Sequence, residues 1–206
     1  MHTYETKTFN IPTLDGISAK SIEEHLGLYA GYVKNFNAIS QLTAALATQD
    51  ADPSTPLGAG KNALAIAELV RRRSFEFDGM RLHEYYFAQF EGSSTSQTTS
   101  GPLAKVLEST YAPVAFEKVM TMIGSMRGPG WAVLYFDAEA NELLTSFVGE
   151  QHQGHLAGLP VILALDVWEH AYILDYGAAG KGKYIGSFFK NLNWGVVEKR
   201  FAQVAG

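Results

Sequence analysis

The chain has 206 residues, 47% of them hydrophobic and 18% charged, with a net charge of −5; it can bury a real core and gives no support for a nucleic-acid partner. It has no cysteine, which excludes disulfides, zinc–thiolate sites, iron–sulfur clusters and cysteine nucleophiles together. No run approaches the roughly 18 apolar residues that span a bilayer, and MHTYETKTFNIPTLDG lacks a leader's apolar core, so a cytoplasmic protein with no membrane partner is expected.

Two long helical patterns come first. Ser18 is placed to cap a helix, and Ile22, Leu26, Tyr29, Val33, Phe36 and Ile39 recur at helical spacing to about residue 47. TQDADPSTPLG supplies a turn. A second pattern runs over 60–90, with a break expected near Phe77-Asp78-Gly79. Its basic triplet, Arg71-Arg72-Arg73, reads as a solvated face. EGSSTSQTTSGP, residues 91–102, is the best boundary.

Beyond that boundary, shorter helices are expected near 102–109 and 112–126. WAVLYFD and ELLTSFVG read as a hairpin over 131–149. LPVILALD, 159–166, is continuously apolar, as a central, doubly buried strand would be. Short helices over 182–191 and 195–201 finish the chain. The expectation is an α+β protein in two domains. Residues 1–92 form an antiparallel helical hairpin, packed on a 93–206 domain with a three-stranded antiparallel sheet and flanking helices.

The histidines carry the chemistry. There are six. His25 falls on the first helix and His83 on the second. His170 follows the apolar strand four residues after Asp166. Three imidazoles and a carboxylate suit a first-row metal, and without thiolates iron or manganese is favoured over softer ions. Each has a plainer explanation. A helix histidine is more often a hydrogen-bonded residue than a ligand, and Asp166 could cap the next turn or orient His170. Yet an ionised carboxylate at the end of an apolar strand is costly unless paired or metal-bound.

DVWEHAY, with LDY and NLNW after it, resembles the C-terminal core of iron/manganese superoxide dismutases, where D-x-W-E-H-A-Y and N-x-x-N-W occur. IEEHLG…YVKNFN, RLHEYYF and GPGWAVL are similar to the family's two helix-ligand motifs and to the start of its sheet, so the resemblance covers nearly the whole chain. It implies four metal ligands, His25, His83, Asp166 and His170, holding one iron or manganese ion per subunit together with a solvent molecule. It implies the disproportionation of superoxide, two O2•− and two protons giving O2 and H2O2, by alternation of the metal between M3+ and M2+. Tyr32 matches the tyrosine at the substrate entrance. Trp131 and Trp168 match tryptophans that wall the site. Glu169 matches a glutamate that reaches a ligand histidine of the other subunit, which implies a homodimer or homotetramer. Lys181 lies where many members carry an arginine near the mouth.

The departures are specific. The interval from His25 to Tyr32 is seven residues, not eight. Seven steps turn an α-helix through about 700°, so both side chains share one face; a regular helix without a bulge is expected. A second histidine is missing near Tyr29, and Ile173 replaces its tyrosine partner. Tyr29 is a candidate to take over part of the entrance. Phe87 and Val133 stand where tryptophans are usual. Gly79 stands where many iron-type members project a glutamine onto the bound solvent, so that group must come from EQHQGHLAG. His152 is the first choice there, with Gln151 and His155 open. The rival readings are a two-histidine, one-carboxylate iron oxygenase, for which four protein ligands leave too little room, and a metal-binding relative without catalysis.

Overall fold

The computed structural model describes residues 2–50, 60–97, 99–112 and 115–205. Helix α1, Ala19–Gln49, starts where Ser18 accepts a hydrogen bond from the Ser21 backbone N–H at 3.1 Å, satisfying one of the free amides of the first turn. It is α-helical throughout, with no bulge between His25 and Tyr32. The turn expected after it lies mostly in 51–59, outside the described residues. Helix α2, Ala63–Ala88, packs along α1 and runs straight through Gly79, where a break was expected. Burial accounts for the difference. Gly79 and Met80 face the interior, and the helix is held there by packing that outweighs the propensity of one glycine.

The amino-terminal segment runs over the hairpin without regular structure. Its backbone is pinned by side chains: Tyr4 exchanges two hydrogen bonds with Asn37, and the Lys7 N–H donates to the Tyr29 hydroxyl at 2.9 Å.

Helices α3, Pro102–Tyr111, and α4, Phe116–Gly124, lead into the sheet. Strands β1, Gly130–Asp137, β2, Glu142–Gly149, and β3, Val161–Asp166, are antiparallel in the order β2-β1-β3. The apolar 159–166 run is therefore an edge strand, and β1 is the central one. It reads as doubly buried because α2 and a later helix cover it. Its free edge is also closed: the Gln89 side chain donates to the Ala164 carbonyl at 2.8 Å and accepts from the Ala164 N–H at 2.9 Å, as a neighbouring strand would. Arg200 braces that cap, donating to Gln89 Oε1 at 3.0 Å and to the Ile162 carbonyl at 3.3 Å.

After β3 come a 3-10 turn, Glu169–Ala171, and helices α5, Ile173–Tyr176, α6, Lys181–Asn191, and α7, Trp194–Val204. The core joins the two halves: Tyr86 of α2, and Phe90 just beyond its end, pack on Phe188 of α6. Within the second half, Phe136 of β1 packs on Phe201 of α7. Among the described residues, no helix is long and apolar enough to cross a membrane.

Candidate metal centre

Four donors meet where the hairpin abuts the end of β3. His25 comes from α1, His83 from α2, Asp166 from the last position of β3 and His170 from the 3-10 turn. Their ligating atoms all lie within 4.8 Å of one another. Asp166 Oδ2 is the hub, at 3.2 Å from His25 Nε2, 3.3 Å from His170 Nε2 and 3.8 Å from His83 Nε2. Its other oxygen, Oδ1, accepts the Trp168 N–H at 2.8 Å. The carboxylate thus does both things the sequence left open, with one oxygen for each: Oδ1 closes the turn and Oδ2 faces the imidazoles.

Two of the histidines, His25 and His83, are prepared as neutral ligands. His83 Nδ1 lies 2.6 Å from the Gly79 carbonyl. A carbonyl only accepts, so the proton sits on Nδ1 and the Nε2 lone pair is free. The Nε2 atoms of both His25 and His83 are buried without a hydrogen-bond partner. Unpartnered buried nitrogens are costly, and a cation seated between them relieves that cost. The donor set and these orphaned atoms fit an iron or manganese ion.

Electrostatics agree. Burial pushes His25 and His83 down, His83 to about 3 with help from the nearby His25. Burial works to raise Asp166, but His170 and His25 outweigh it and hold the carboxyl below its ordinary range. The cluster therefore holds a carboxylate beside two imidazoles strongly biased towards neutrality.

Aromatic rings wall the site. Trp131 meets His83 edge-on at 5.1 Å, Trp168 stacks on His170 at 5.8 Å, and Phe87 lies 4.9 Å from His25. Tyr32 lies against His83 at 5.0 Å. A hydrogen-bonded chain links two of these walls. Trp131 Nε1 donates to Gln151 Oε1 at 2.8 Å, and Gln151 Nε2 donates to the Tyr32 hydroxyl at 2.8 Å. The indole can only donate, which fixes the orientation of the amide. Burial, with the Asp166 charge adding to it, pushes the Tyr32 phenol well up, so it keeps its proton.

Gln151, and not His152, is the residue that reaches Tyr32. His152 packs edge-on against Phe75 at 5.6 Å, with Nδ1 3.9 Å from Glu150 Oε2. The backbone turns sharply at Glu150, at φ 52°, so consecutive side chains leave in different directions. His155 hydrogen-bonds Tyr135 and the Gln151 carbonyl. The Tyr29 hydroxyl is engaged by the Lys7 N–H and by Glu84, donating to Glu84 Oε1 at 3.2 Å. Glu169 is exposed. Lys181 donates to the Met126 and Gly128 carbonyls. The sequence reading missed the space-filling relation between Tyr32 and Gly79. A Cβ at Gly79 would meet the Tyr32 ring at 2.6 Å.

A helical hairpin closing on a three-stranded sheet over three histidines and an aspartate defines a mononuclear metal protein. The pattern of the iron/manganese superoxide dismutase C-terminal domain matches residues 99–200. The superoxide dismutase [Fe] of Aquifex pyrophilus is 32% identical over 204 residues, covering 98% of this chain and 92% of the relative. That of Cupriavidus metallidurans is 33% identical, covering 92% and 90%. The superoxide dismutase [Mn/Fe] of Aeropyrum pernix is 31% identical, covering 70% and 68%. The chain belongs to the iron/manganese superoxide dismutase family.

Proposed function

We propose that this protein disproportionates superoxide to O2 and H2O2 at one iron or manganese ion held by His25, His83, Asp166 and His170. The observation that carries this is the meeting of those four donors within 4.8 Å, with two buried imidazole nitrogens unpartnered. When bound, the ion supplies reversible one-electron redox chemistry.

The chain's own residues supply the rest. His83 is oriented through its Nδ1 proton on the Gly79 carbonyl, and Asp166 through Oδ1. Trp131, Trp168 and Phe87 pack against the imidazoles and limit their contact with bulk water. Tyr32 accepts from Gln151, so its own proton is left for a group in the site, and Gln151 takes the outer role for which His152 was the first choice. The reaction consumes two protons, and a phenol that stays protonated is suited to stand beside it.

A second copy completes the reading. His25 and His170 lie at the base of a cleft of about 390 Å³, rimmed by the exposed Leu28, Ile173 and Leu174. Exposed apolar side chains beside a buried site suit a self-association face, and the exposed Glu169, next to His170 in the chain, is the residue we infer to reach the other subunit from it. A homodimer, or a tetramer built from it, in the cytoplasm is the assembly we infer.

The test is metal analysis with a superoxide-consumption assay, on protein loaded separately with iron and with manganese. Stoichiometric metal with turnover in at least one form is expected. Metal without turnover would favour a binding relative, and no uptake of either ion would end the assignment.

A further inference from the structure

We infer that His155 is a positioning residue for Gln151, and that Asp78 and Tyr135 hold it in that task. The inference rests on the superoxide dismutase reading, because Gln151 matters through its place beside the metal centre.

Gln151 belongs to the connection between β2 and β3, which has little regular structure. Its side chain is fully buried and spans Trp131 and Tyr32. A side chain can hold such a position only if its backbone is also fixed. Upstream, the Glu150 N–H donates to the Pro129 carbonyl at 3.1 Å, and the Glu150 carbonyl accepts from Trp168 Nε1 at 3.1 Å. Downstream, Gly149 and Gln153 exchange backbone hydrogen bonds. The Gln151 carbonyl itself is held by a side chain: His155 Nε2 lies 3.1 Å from it.

The protonation pattern follows from the partners. The carbonyl only accepts, so Nε2 carries a proton. Nδ1, the other ring nitrogen, lies 2.7 Å from the Tyr135 hydroxyl and shares a hydrogen bond with it. Tyr135 is on the central strand, so the imidazole is tied to the middle of the sheet. Asp78 of α2 approaches from the other side, with Oδ2 3.9 Å from Nε2. One ring thus joins α2, β1 and the loop behind Gln151, outside the ligand set.

The donors separate the roles. Glutamine at 155 can place an N–H near the Nε2 position, towards the Gln151 carbonyl. Asparagine can place a polar atom only near the Nδ1 position, towards Tyr135. Phenylalanine keeps the ring and removes both bonds. Three holoenzyme variants, His155→Phe, His155→Gln and His155→Asn, are compared for metal content, turnover, the reduction potential of the bound metal and crystal structure.

The expected result is that His155→Phe keeps its metal but loses turnover by ~10-fold, the lower end of what loss of an outer partner costs a metal site. Its potential shifts, and the Gln151 amide leaves its place between Tyr32 and Trp131. Glutamine restores all three properties and asparagine does not. An unchanged potential with Gln151 undisturbed overturns the inference, as does equal restoration by asparagine and glutamine. Should His155→Phe fail to fold, the glutamine–asparagine comparison still decides. Failure of the parent protein to consume superoxide would instead count against the functional reading, and the position of Gln151 in the variant structures would still test this one.

Discussion

The Tyr32 ring fills the space that a side chain at position 79 would need: a Cβ on Gly79 would fall 2.6 Å from Tyr32 Cδ1 and 2.8 Å from Cε1. Where the two helices cross, one of them gives up its side chain so that the other's tyrosine can lie against His83 and reach Gln151.

Gly79→Ala should therefore destabilise the protein. In an open helix the change stabilises by about 1 kcal/mol. Here overpacking should cost about 1–3 kcal/mol, because the ring is held by Gln151 and by packing on Phe75 and His83. Tyr32→Ala should relieve the clash and Tyr32→Phe should not, so a double-mutant cycle read by chemical denaturation will show coupling only with alanine. A rise in Tm for Gly79→Ala alone would mean that the ring moves freely.

Tyr32→Phe keeps the ring and deletes the acceptor for Gln151 Nε2. Metal content should be preserved, because the four donors are untouched. Turnover or sensitivity to peroxide should change, since the amide loses its partner and the site loses a proton. Loss of metal in this variant would place Tyr32 in folding rather than in chemistry.

The metal-free protein should weaken as pH falls. His25 and His83 have lowered pKa values in the fold, His83 to about 3 against an unfolded value near 6.5. Below about 6.5 the unfolded chain binds protons that the folded chain refuses, so stability is present above that pH and is lost progressively towards 3. Asp166, also lowered, contributes in the same sense at the acid end of the window. Thermal denaturation of the metal-free protein from pH 7.5 to 4 should show a falling Tm. The metal-loaded protein should start from a higher Tm, since binding to the folded state alone stabilises it, and should lose its ion as the imidazoles are protonated. A flat profile for the metal-free form would show that the imidazoles are not held neutral.

The elements were legible because their signals are local. Ser18 caps α1, β2 spans the run read as the second arm of a hairpin, and the Asp166–His170 spacing needs only one strand end and one turn. What was not legible depends on partners distant in sequence. A continuous apolar run says that both faces of β3 are covered, not that both edges are paired; Gln89 and Arg200, far away along the chain, close the free edge. The continuity of α2 through Gly79 likewise depends on its packing against α1. The choice between Gln151 and His152 turns on the backbone at Glu150, at φ 52°, which composition does not announce for a glutamate.

The edge of β3 offers the last prediction, since it carries Asp166 into the site. Gln89 satisfies the Ala164 N–H and C=O and accepts from Arg200, all in the interior. Gln89→Leu keeps the bulk but strands those groups, each costing about 1–3 kcal/mol when unsatisfied. Arg200 would also lose an oxygen partner that its largely buried guanidinium needs; burial already draws its pKa down to about 10. Gln89→Glu separates the contributions. A carboxylate can accept from Ala164 and pair with Arg200, but it cannot donate to the Ala164 carbonyl. Denaturation midpoints should rank wild type above Glu and Glu above Leu, with hydrogen exchange at the Ala164 amide accelerated most in the leucine variant. Equal stability of leucine and wild type would mean that packing alone closes this edge.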